Sequence, residues 1–167
     1  MFLLKSKKRI FPLIAALIIA FQPALVLAQA DDVVKDSFSQ EIISLTNESR
    51  FASGAGILKK SDILTRAAQM KAEDMVAHGY FAHTSPQGVS PWHWFYKAGY
   101  KPSLAGENLA LAYSESAAIV DAWLASPSHK KNLLNKEFTE IGIGIAKGEY
   151  QGKEMVFVVQ VFGVQGK

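Results

Sequence analysis

Apolar positions recur at a helical period from residue 37 to about residue 134 and switch to a period of two in the tail, so helices should come first and strands last. Ser37-x-x-Gln40 has the form of a capping box and predicts a first helix starting near Ser37. Phe38, Ile42, Leu45 and Ser49 share one face, and Gly54 and Gly56 end the element. A second helix is predicted from Ser61 or Asp62, with the stripe Leu64, Ala68, Ala72, Met75 and Gly79 as the left-handed stop. Ser90 (N-cap), Pro91 (N1) and Gly99 bracket a third helix over Trp92 to Ala98. A fourth begins near Ser114 or Ser116, buries Ile119, Val120, Trp123 and Leu124, and is stopped by Pro127. Ser126-Pro127 opens a fifth that reaches Leu134.

The tail predicts a hairpin. Ile141, Ile143 and Ile145 alternate with glycines, a turn covers Gly148 to Lys153, and Met155 to Phe162 is a β-branched and aromatic run. That second run is apolar on both faces, so it should be a central strand covered on both sides. Helices on both faces of a small, mostly antiparallel sheet make a three-layer α-β-α sandwich, an α/β fold. A short extra strand is expected around Asn108 to Ala112.

The first 30 residues stand apart. Lys5, Lys7, Lys8 and Arg9 precede an apolar run from Ile10 to Ala28, and Ala28-Gln29-Ala30 is a small-x-small site. That layout predicts a secretory signal over residues 1–30, cleaved after Ala30 or, as second choice, after Ala28. The alternative is an uncleaved anchor, because the run is near the lower length limit for spanning a bilayer. Export would make the protein extracellular or periplasmic. The chain has 18 Lys and Arg against 15 Asp and Glu. Removing the signal's four basic residues leaves 14 against 15, so no global charge favours nucleic acid. The remaining 137 residues can bury a core by packing alone, in keeping with the absence of cysteine. That absence also excludes thiol catalysis and thiolate zinc sites.

The candidate chemistry lies in three segments. Tyr80-Phe-Ala-His83-Thr-Ser-Pro86 sets a histidine just past the second helix, Ala105-Gly-Glu107-Asn108 sets a carboxylate after a glycine, and Ser126-Pro-Ser-His129 sets a histidine at the third position of a helix. The positive end of that helix should hold His129 toward its neutral form. The three residues are 24 and 22 positions apart, and spacing alone does not join them. Each has a structural reading: a loop cap for His83, a buried acceptor of backbone N–H groups for Glu107, a helix-start donor for His129.

Together with Leu45-Thr-Asn-Glu-Ser-Arg50, Ser90-Pro-Trp92, Ala98-Gly-Tyr100, Gly106-Glu-Asn-Leu-Ala110, Ala122-Trp-Leu-Ala-Ser-Pro-Ser-His129, Asn132-Leu133, Phe138-Thr-Glu-Ile-Gly-Ile-Gly144 and Val159-Gln-Val-Phe-Gly163, these segments resemble the bacterial branch of the CAP superfamily, the SCP-like or PR-1-like domain. The resemblance covers residues 38–163 and implies the same α-β-α sandwich. It also implies a central cleft in which His83, Glu107 and His129 occupy positions of the family's His/acid tetrad. The eukaryotic fourth member is a glutamate where Ser126 stands, and Glu140 is the candidate replacement. His93 replaces an expected aspartate; it would be a third imidazole near the cleft or a solvated helix residue, and the second is favoured.

Two imidazoles and a carboxylate would suit Zn²⁺ or another divalent cation, with His83 and His129 as ligands. The functions implied are then a secreted binding or interaction module for a lipid, another small apolar ligand or a cell-envelope component, a metal-dependent extracellular hydrolase or protease, or an envelope protein with a vestigial cleft. Trp92, Trp94, Phe95 and Tyr96 would line a groove for an apolar ligand, or serve simply as core. No obvious nucleophile accompanies the histidines, nucleic acid is not expected as a partner, and a monomer is.

Overall fold

The computed structural model describes residues 23–112 and 115–166. Among them the elements run α1 (Pro23–Ala52), β1 (Lys59–Lys60), α2 (Asp62–His78), α3 (Trp92–Ala98), β2 (Pro102–Ala112), α4 (Ser116–Ala125), α5 (Pro127–Leu133), β3 (Glu140–Tyr150) and β4 (Lys153–Gln165). The basic start of the predicted signal, most of its apolar run and Ser114 lie outside the described residues. No helix among the described residues is long and apolar enough to cross a membrane.

The strands form one mixed sheet in the order β1-β3-β4-β2. β4 pairs antiparallel with both β3 and β2, and β1 adds two parallel pairs at the start of β3. The centre is therefore β4, the strand whose apolar run is uninterrupted. Its alternation supplies both cores. Phe157, Val159 and Val161 face Leu64, Ala68, Ala72 and Met75 of α2 and Phe95 of α3. Val158 and Phe162 face Ile42 and Ile43 of α1, Ile119, Val120 and Trp123 of α4, and Leu133 of α5. The result is the expected three-layer sandwich.

Most local signals are used as read. Ser61 caps α2, accepting from the Leu64 N–H, and Gly79 closes it at φ 63°. Gly99 ends α3 at φ 92°. Two boundaries differ. α1 starts at Pro23, not near Ser37. A capping box marks a start only where the chain upstream leaves the helix, and nothing between Pro23 and Ser37 is a glycine or proline that would force it to. β2 starts at Pro102, six residues before the Asn108 expected for a short strand; α3 covers Trp92–Ala98 as expected, though Pro91 and not Ser90 is its N-cap and no side chain caps it.

The α2 stripe of small residues has a reason. A Cβ at Gly142 or Gly144 would overlap the backbone of α2 at Leu64–Thr65 or Ala68–Gln69. The helix rests on bare strand backbone, which only glycine allows.

The cores also hold charge. Arg50 is fully buried, with Nε donating to Gly56 O (2.7 Å), Nη1 to Leu133 O and Asn135 O (2.8 Å each) and Nη2 to Phe138 O (3.3 Å). It joins the end of α1 to the loop between α5 and β3 through carbonyls alone. Burial pulls its pKa below the usual arginine value.

Candidate functional site

β2 is the outer strand at one side of the sheet, so groups from the two helical layers can meet around it. Strand alternation sends Glu107 to the α2 side and Gly106 and Asn108 to the α5 side. Gly106 has to be small there, since a Cβ would lie 2.8 Å from the Phe138 ring and 3.3 Å from Asn132 Oδ1.

Glu107 is buried, with a side chain only 3% exposed, while that of His83 is 54% exposed. His83 Nδ1 lies 2.6 Å from Glu107 Oε1. An ionised carboxylate only accepts, so the proton sits on Nδ1 and Nε2 points away from the pair. The hydrogen bond donated to Glu107 is the main cause of a pKa raised above the ordinary histidine value; burial and the charge of Lys71 oppose it. His129, on α5, is half-buried. Its pKa is lowered, first by burial and then by the charge of His83. The direction agrees with the neutral form expected at a helix start, but the physical cause is burial plus a neighbouring imidazolium. The two histidines are therefore electrically unlike: His83 is biased toward its cationic form and His129 toward its neutral form.

Buried polar scaffolds hold the two sides. Lys71 is fully buried on α2. Its Nζ donates to the His83 carbonyl and to the Tyr80 hydroxyl, both at 3.0 Å. Tyr80 in turn donates to Asp74 Oδ2 at 2.5 Å. Desolvation lowers the Lys71 pKa, against the pull of Glu107 and Asp74. On the other side Asn132 Nδ2 donates to the Glu107 carbonyl (2.9 Å) and to Asn108 Oδ1 (3.0 Å). Asn108 Nδ2 donates to the His129 carbonyl (3.2 Å) and to Gln160 Oε1 (3.0 Å), and Gln160 Nε2 donates to Thr46 Oγ1 (3.0 Å). This amide chain crosses the sheet from α5 to α1. The sequence analysis missed Lys71 and read Asn108, Asn132 and Gln160 only as parts of motifs. Their signal was a polar residue at a core position of a helix or strand.

The other candidates lie apart. Glu140 touches neither histidine; its Oε2 accepts from the Tyr100 hydroxyl at 2.6 Å, which together with burial pushes the tyrosine pKa up. The reason is strand order: Glu140 is on β3, two strands from β2, hence roughly 10 Å across the sheet. Ser126 Oγ pairs with Ser128 Oγ at 3.2 Å. His93 is exposed and packs edge-on against Trp94 (5.0 Å between centroids), as a solvated helix residue does. Trp94 and Phe95 are core, whereas Trp92 and Tyr96 are 41% and 60% exposed.

Among the described residues no group of three or more His, Asp or Glu side chains is disposed to hold an ion. Glu107 accepts from His83 Nδ1 and so orients that imidazole, leaving Nε2 as the ring nitrogen available to a ligand or an ion. Nor does any hydroxyl among the described residues hydrogen-bond to either imidazole: Ser85 Oγ accepts from the Val89 N–H at 3.2 Å.

Comparison with known proteins fits this architecture. The chain is 35% identical over 108 residues to the uncharacterized protein YkwD of Bacillus subtilis strain 168, covering 65% of this chain and 42% of that one. It is 31% identical over 117 residues to the uncharacterized membrane protein YlbC of the same organism, covering 70% and 34%. It thus spans less than half the length of these curated relatives. Among solved structures, an extracellular protein containing an SCP domain from Bacillus anthracis str. Ames superposes with a TM-score of 0.68 at 31% identity, covering 78% of this chain and 41% of that one. An outer surface protein from Borrelia burgdorferi superposes at 0.60 with 28% identity, covering 74% and 90%. The family model described as "CAP: Cysteine-rich secretory protein family" matches residues 43–162, and the chain belongs to that family.

Proposed function

We propose that this CAP domain works outside the cytoplasm as a binding module, and that the His83–Glu107–His129 site takes the anionic or hydrogen-bond-accepting head of a lipid-class amphiphile. One observation carries the reading: a buried carboxylate is committed to the inner nitrogen of a solvent-exposed imidazole at 2.6 Å. That contact fixes the ring and favours its protonated form, in which Nε2 is a charged donor on the side away from Glu107. Such a donor suits a carboxylate or phosphate head group. The exposed pair Trp92 and Tyr96, at i and i+4 on the helix that follows the His83 loop, offers an apolar bed for the rest of the molecule. Two similar structures are described as an extracellular protein and an outer surface protein, which agrees with work outside the cytoplasm.

The test is titration of the purified protein with a fluorescent long-chain fatty acid. Saturable binding is expected, weakened at least tenfold by His83→Gln and by Trp92→Ala. Absence of saturable binding, or binding that neither substitution weakens, would refute the proposal.

A further inference from the structure

The opposite edge of the sheet is open. β1 covers only the start of β3, pairing at Glu140 and Ile141, and Ser61 N–H donates to the Ile141 carbonyl at 2.9 Å. Beyond that the chain turns into α2 and leaves the edge. In an antiparallel ladder alternate residues turn their N–H and C=O outward, so Ile143, Ile145 and Lys147 face the same way as Ile141. At Ile145 a side chain fills the vacancy. Gln69 Nε2 donates to the Ile145 carbonyl (3.0 Å), and the Ile145 N–H donates to Gln69 Oε1 (2.9 Å). The carboxamide thus makes both hydrogen bonds that a peptide unit of a neighbouring strand would make.

The space beside this edge is a groove, not a closed wall. A cleft of about 320 Å³ lies over Ile143 and Ile145 between α1 and α2, and a second of about 250 Å³ shares Gln69, Glu73 and Ile145 with it and continues to Lys147. A third starts at Lys147 and reaches the hairpin end. Together they follow the strand from Ile143 to Glu149, roughly 20 Å at the rise of an extended chain. Ser39 Oγ and Thr65 Oγ1 both line the first cleft, both are sealed from solvent, and neither has a hydrogen-bond partner. Ser39 is only 6% exposed. Asp36, Glu73, Glu149 and Glu154 line the groove against Lys35 and Lys147; Asp36 is already paired with Lys60 at 3.1 Å, so the carboxylates left to meet an occupant are Glu73, Glu149 and Glu154, a small acidic excess.

We propose that this groove docks an extended, basic polypeptide segment, which adds to β3 as a fifth strand over Ile143 to Lys147 and displaces the Gln69 carboxamide. An open sheet edge is a ready template for such pairing. The occupant's backbone satisfies Ile143 and Ile145, and its lysines meet the carboxylate rim. This site lies on the far side of the sheet from His83 and Glu107 and does not depend on what binds there.

A fluorescein-labelled Val-Lys-Val-Lys-Val-Lys-Val peptide, titrated into the full chain and followed by anisotropy, tests this. Saturable binding is expected, and Gln69→Ala should tighten it about fivefold by removing the competing carboxamide. Amide exchange at Ile143 should slow at least tenfold in the complex. The same peptide N-methylated at its central residues should not bind. The proposal is overturned by no saturable binding to either protein, by equal binding of the methylated peptide, or by unchanged exchange at Ile143.

Discussion

Replacing Arg50 by methionine keeps most of the side-chain volume and removes every donor. Four carbonyl oxygens then lose a charged partner at 2.7 to 3.3 Å: those of Gly56, Leu133, Asn135 and Phe138. A hydrogen bond to a charged group contributes about 1.5–3 kcal/mol, so the gross loss is about 6–12 kcal/mol. Two effects reduce it. The guanidinium has no carboxylate partner, so removing it also relieves the desolvation that lowers its pKa. The loop carbonyls near Asn135 can turn toward water. A net loss of about 3–5 kcal/mol follows, in the range for breaking a buried charged network. Arg50→Lys keeps the charge but has one nitrogen for four acceptors, and should lose about half as much. Urea unfolding followed by fluorescence of the buried Trp94 and Trp123 reads this directly. With a slope of about 2 kcal/mol per molar, Arg50→Met should lower the midpoint by about 2 M. A shift under about 0.5 M, or a lysine variant worse than the methionine one, would refute the idea that these carbonyls are what the arginine serves.

Three more expectations are independent of that one. Glu107→Gln should bring the His83 pKa down toward the ordinary 6.5, read from imidazole NMR signals; no change would mean the 2.6 Å contact is not what holds the proton. The sign follows: a raised histidine pKa adds stability below pH 6.5 that is lost as pH rises through the folded value, and fatty-acid affinity should fall over that same window in the wild type but not in Glu107→Gln. Gly144→Ala should destabilise by more than about 3 kcal/mol or prevent folding, because the methyl has only α2 backbone to enter; a thermal midpoint within 2 °C of wild type (about 0.5 kcal/mol) would contradict that packing.

Whatever is decided within a few residues could be read from the amino-acid order. The α2 stripe, the Gly79 and Gly99 stops and the β3–β4 hairpin all have their causes in adjacent positions. α1 shows where such reading ends: Ser37 has the letters of a cap, but a cap needs a break before it. Charge was the harder case. Lys71 drew no notice and Arg50 stood only at the end of a motif, because lysine and arginine are seldom fully buried; what permits their burial is carbonyls and a tyrosine, most of them beyond their own helices. The meeting of His83 with Glu107 was suggested only by the resemblance, because it depends on which strand forms the sheet's outer edge. Where Glu140 stands relative to β2 is likewise a matter of strand order.

The contact at Gly142 and Gly144 has a mechanical consequence. A helix seated on side chains has a cushion, since rotamers adjust and absorb small shifts. α2 has none at those two points. Any tilt or slide must move the strand with it. α2 also carries Lys71, which grips the loop bearing His83, so the height of that imidazole above the sheet is set by hard contact some distance away. The two glycines and the His83 loop are thereby coupled through α2, and a substitution at either glycine should be felt at the histidine as well as in the core.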